Sequence, residues 1–110
     1  MSDLEPLPET PSSRFHRAQR TFDGIERQRD KALVTFIEEP SVDNQQHLLE
    51  AMAGLRQARR ELNASVISVM YFLVTQEMDS DEERAAMEQI VRSHGQRIAN
   101  LEAQAKEDGA

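Results

Sequence analysis

Residues 66–74 read Val-Ile-Ser-Val-Met-Tyr-Phe-Leu-Val, an apolar run interrupted only by Ser68. Wound into a helix, this segment is hydrophobic on every side, in a chain that is 30% charged overall. Such a helix must be covered over more than one face. A membrane is not the cover, because nine residues fall well short of the ~20 that a spanning helix needs. The cover has to be the chain's own helices, another polypeptide, or both.

Upstream of the run, Leu48, Met52, Leu55, Arg59, Leu62, Val66, Val69 and Leu73 step by three and four, the spacing of one helical stripe. This predicts a long second helix over about 42–78, capped by Ser41 or Asp43. Before it, Phe15, Ala18, Phe22, Ile25, Arg29, Ala32 and Phe36 form a second stripe, which Leu33 and Ile37 widen at its end. That helix spans about 13–38, starts from Thr10 or Ser12 with Pro11 tolerated in its first turn, and stops ahead of Pro40. After the run, Ser80-Asp81-Glu82-Glu83 has the pattern of a capping box, in which Glu83 reaches back to Ser80. It opens a third helix over about 80–106, with the stripe Met87, Val91, His94, Ile98, Leu101 and Ala105. Residues 1–12, with Pro6, Pro8 and Pro11, read as a flexible acidic arm, and residues 107–110 as a frayed tail. The fold class is all-α: an antiparallel three-helix bundle, or long helical hairpin, around a central long helix of coiled-coil character.

Composition narrows the function. The chain has 110 residues and no cysteine, which excludes disulfides, zinc-thiolate sites and thiol catalysis. The N-terminal MSDLEPLPETPSS lacks the basic and apolar regions of a signal peptide, and a cytoplasmic location is the expectation. The net charge of −7 repels phosphate backbones, although residues 14–31 carry six bases against three acids. Within that segment Arg14, Arg17, Arg20 and Arg27 lie off the apolar stripe among acids, as on a solvated face, and no aromatic stacking platform accompanies them. A small nucleic-acid-associated regulator using this basic helix is therefore a secondary expectation.

His16, His47 and His94 fall on three different helices without metal-ligand spacing, so no metal or other cofactor is expected. No phosphate loop, activated nucleophile or convergent acid pair is present, and an enzyme is not expected. Arg29 and Arg59 interrupt their stripes at core-like positions. Folding helix one back on helix two puts Arg59 opposite Asp23 and Arg29 near Glu50, so Asp23, Arg29 and Arg59 read as polar residues that set the register.

Lengths then locate an interface. Helix two reaches ~54 Å, while helices one and three reach ~39 Å each. Laid antiparallel, residue 13 lands near 68 and residue 105 near 52. Helix two beyond residue 68 then has a single neighbour, and Val69, Met70, Phe72 and Leu73 are expected to face a protein partner or a second copy, as a homodimer.

The turn Glu39-Pro40-Ser41-Val42-Asp43-Asn44 followed by a long amphipathic helix resembles the helical hairpins of type III secretion needle subunits and their small co-chaperones. The likeness covers about half of the chain, and the third helix is an addition to the needle pattern. It implies a hairpin that hides or polymerises through its apolar second helix. From the residues themselves, the expected function is a non-enzymatic interaction module, such as an adaptor, chaperone or assembly factor, that works through apolar helical surface and associates with itself.

Overall fold

A computed structural model describes residues 9–76 and 80–109; the expected arm over 1–8, the last turn of helix two over 77–78 and the terminal residue lie outside the described residues. The described chain is all-α, with α1 over Pro11–Glu38, α2 over Val42–Thr75 and α3 over Asp81–Gly109.

Each boundary has a local cause. Thr10 is the N-cap of α1: its Oγ1 accepts from the Ser13 amide at 3.2 Å while Ser13 Oγ accepts from the Thr10 amide at 3.0 Å, a reciprocal box that leaves Pro11 in the first turn. Pro40 ends α1. Ser41 Oγ then accepts from the Asn44 amide at 3.0 Å, and Asn44 Nδ2 donates back to the Glu39 carbonyl at 2.7 Å, so both sides of the turn are tied. At its far end α2 stops at Gln76, whose left-handed backbone (φ 57°, ψ 28°) turns the chain away while its amide donates to Phe72 O at 2.8 Å. Ser80 Oγ takes the amides of Glu82 and Glu83 at 3.1 and 3.2 Å and opens α3. That helix extends to Gly109.

One half of the expected capping box is not made at Ser80. The Glu83 carboxylate reaches instead to the start of α1, where Oε2 accepts from the Ser12 amide at 2.8 Å and Oε1 from the Ser12 hydroxyl at 2.6 Å. First-turn amides of a helix have no partner of their own, and an acid is favoured at that end of the dipole. Glu83 therefore caps α1 from another helix.

This tie sets the placement of α3. A methyl placed on Gly54 would lie 3.7 Å from Ile25 Cγ2, so Ile25 and Gly54 face each other across the α1–α2 seam. Thirteen residues back from Ile25 and thirteen forward from Gly54, Ser12 stands level with Ile67. Near its start α3 holds Ser12 through Glu83, and near its end Glu102 and Ala105 line a groove with Asn63 and Ile67. Both ends of α3 thus lie at one height, and the helix runs across the open end of the hairpin. The extents, 53 × 43 × 24 Å, fit a 34-residue α2 of ~51 Å crossed by a 29-residue α3 of ~43 Å. Residue 105 was expected beside residue 52; it lies beside 63 and 67 instead. The helix also bends, since His94 leaves helical geometry (φ −122°, ψ 15°) just before Gly95.

The core sits under this crossing. Phe15 and Phe22 of α1, Leu55, Ala58, Leu62, Val66 and Val69 of α2, and Met87, Ile90, Ile98 and Leu101 of α3 are its buried side chains. The Glu83 tie makes a direct prediction. Glu83→Ala leaves the Ser12 amide without its acceptor and the Ser12 hydroxyl with Thr10 Oγ1 at 3.3 Å as its described partner, and is expected to lower the stability measured by urea unfolding by about 1–3 kcal/mol. Glu82→Ala, one residue away and exposed, should change it by less than ~0.5 kcal/mol.

Candidate interaction surface

From Asp23 to Gly54 no residue is buried. These residues are the lower halves of α1 and α2 with the turn between them, a two-helix arm projecting from beneath α3 for ~24 Å. The apolar stripes nevertheless continue along it. Leu33 lies fourteen residues after Gln19; Met52 and Leu49 lie fourteen before Val66 and Asn63. Two heptads drift by only ~40°, so these residues share helix faces with Gln19, Val66 and Asn63, all buried in the region that α3 crosses. On the arm the same faces are open: Leu33 is 40% exposed, Ile37 67%, Leu49 52% and Met52 40%, with Phe36 and Leu48 half-buried between them. The opposite side of the arm carries the polar residues Gln28, Lys31, Thr35, Asn44 and His47, whose largely apolar parts line a shallow groove around Ala32.

The apolar run over 66–74 is covered on one side and open on the other. Val69 is enclosed in the core, and Phe72 and Leu73 are half-buried against it. Met70 is exposed and belongs to an outer strip with Ile67, Tyr71 and Val74, alongside Glu102 of α3. Of the four residues expected at an interface, Met70 is exposed, Phe72 and Leu73 are half-buried and Val69 is buried. Leu33, Ile37, Leu49 and Met52 were not singled out as a surface, although the widening of the stripe at Leu33 and Ile37 was the available signal.

The polar residues in the stripes are engaged as follows. Asp23 Oδ1 takes Arg97 Nη2 of α3 at 2.8 Å and Gln19 Nε2 at 3.0 Å, an ion pair between α1 and α3. The Arg97 guanidinium also lies 4.9 Å from the centre of the Phe22 ring. Arg29 pairs with its neighbour Asp30 at 2.7 Å and not with Glu50, whose Oε1 accepts from Gln46. Arg59 is half-buried and engaged. Beneath α3, Gln19 Oε1 and Asn63 Oδ1 are buried and accept no hydrogen bond from the described residues.

His94 is half-buried with its ring 5.5 Å from that of Phe15, while His16 and His47 are exposed. Among the described residues no three His, Cys, Asp or Glu side chains cluster as a metal site. No described helix is long and apolar enough to cross a membrane. On the basic helix, Arg17 is paired with Glu9 at 3.0 Å, and Arg20 and Arg27 are exposed. No protein-family model, curated protein or solved structure matches the chain, so the surface has to be read from its own geometry.

The Asp23–Arg97 pair is testable as a link between α1 and α3. Asp23→Ala, Arg97→Ala and the double variant, unfolded in urea, should give a coupling of about 0.5–1 kcal/mol, because both side chains are partly solvated. A coupling of zero would mean that the pair does not hold α3 in place.

Proposed function

We propose that this protein is a non-enzymatic helical interaction module whose working surface is the apolar face of the hairpin arm. The supporting observation is that one pair of stripes is buried where α3 crosses it and open where α3 is absent. The upper half of the molecule shows what such a face accepts, which is helix packed across two antiparallel helices. Each large apolar side chain left wet forgoes ~1.5–3 kcal/mol relative to full burial. With Leu33, Ile37, Leu49 and Met52 together on one side, that is a strong drive to acquire a protein cover. The polar opposite side keeps the arm in water while its apolar side docks, the arrangement of helix-in-groove recognition. An adaptor or assembly factor needs such a surface and no reactive group.

Leu33→Glu and Met52→Glu put charge on this face at exposed positions, so stability should change by less than ~1 kcal/mol. At concentrations dilute enough for the chain to be monomeric, fluorescence of a hydrophobic dye should fall in both variants, and proteins retained by immobilised wild type should be lost. Thr35→Glu, on the polar side, should match wild type in both measurements. Equal dye fluorescence in all four proteins would refute the arm as a docking face.

A further inference from the structure

We propose that the occupant of the arm is a second copy of this chain, docked arm to arm about a two-fold axis so that two hairpins close into a four-helix bundle. This rests on the arm being a docking face and names its partner.

The width of the apolar face selects a two-helix occupant. One helix lying in the groove between α1 and α2 would reach Leu33, Phe36 and Leu48. Ile37 and Leu49 are the residues next to Phe36 and Leu48, ~100° further round each helix toward the outer shoulders. They are 67% and 52% exposed, and a single helix in the groove leaves them wet. A hairpin laid over the hairpin covers both shoulders.

The length selects an identical one. The open face is bounded by α3 at one end and by the Pro40 turn at the other, ~24 Å apart. The object that fills this gap without colliding with α3 is an arm of the same length running the opposite way, its tip abutting α3. Parallel docking would force both α3 helices between the two hairpins, because α3 lies on the face to be covered. The antiparallel arrangement puts each α3 beyond the other's tip.

Area sets the strength. An arm ~24 Å long and two helices, or ~20 Å, wide has a footprint of roughly 480 Å², and two copies contribute about 1,000 Å². That is the lower bound for a specific interface, so the dimer is reversible and concentration-dependent. A two-fold axis halves the design problem, since one patch serves both partners. The axis crosses the arm midway between residues 23 and 40, which brings Leu33 close to its own counterpart.

Sedimentation or light scattering across a concentration series should show a monomer–dimer equilibrium, weakened roughly tenfold or more by Leu33→Glu and by Met52→Glu. Wild type contains no cysteine, so a single introduced thiol reports geometry without background. Leu33→Cys should form a disulfide-linked dimer on mild oxidation, and Val34→Cys, exposed but ~100° away on α1, should not. A dimer untouched by the glutamates, or equal cross-linking of the two cysteine variants, overturns the arrangement. A monomeric wild type whose arm still lights a hydrophobic dye, with loss in Leu33→Glu, overturns the second copy and leaves the docking face standing. A monomer without dye signal overturns both.

Discussion

Everything in this molecule depends on the seam between α1 and α2. Pro40 breaks the chain, Ser41 and Asn44 staple the turn, and the two helices zip back with Ile25 against Gly54 and Phe15 and Phe22 opposite the middle of α2. A pair of antiparallel helices shares one narrow contact, and in water most helical stability comes from packing an amphipathic face, not from propensity. Two helices alone cannot bury stripes as wide as these. A third element is required, and its position decides which part of the hairpin becomes a core and which part stays a surface.

The crossing of α3 is that decision, and it was taken with polar groups. Glu83 seizes the free end of α1 and Arg97 holds Asp23, while Met87, Ile90, Ile98 and Leu101 fill the space between. Under the crossing, two carboxamide oxygens, of Gln19 and Asn63, are buried without a donor among the described residues, and leaving such a group unpaired costs about 1–3 kcal/mol. A helix lying along the hairpin would cover more apolar surface than one lying across it. The crossing concentrates burial at one end and leaves the other end exposed.

The helices themselves were legible because their punctuation is chemical. Thr10-Pro11, Pro40-Ser41 and Ser80 with the acids after it mark the ends, and three-four spacing marks the stripes. What the spacing does not encode is the angle between helices. A short connection after α2 implied a neighbour laid alongside, with residue 105 near residue 52. Gln76 in the left-handed region redirects the chain, and Glu83 finds Ser12 across 71 positions of sequence; neither is visible in a periodicity. Large apolar side chains are exposed at both ends of α2, Ile67, Met70, Tyr71 and Val74 at one and Val42, Leu49 and Met52 at the other. The second set depends on where α3 lies, which the spacing does not encode.

The burial pattern also divides the molecule by how it opens. Amides of the crossing, around Leu62, Val66 and Ile90, lie among buried side chains and are expected to exchange hydrogen most slowly. From residue 23 to residue 54 no side chain is enclosed, so the arm is expected to open at a lower free energy than the crossing. A surface carried on such an arm is ordered most firmly when something is bound to it.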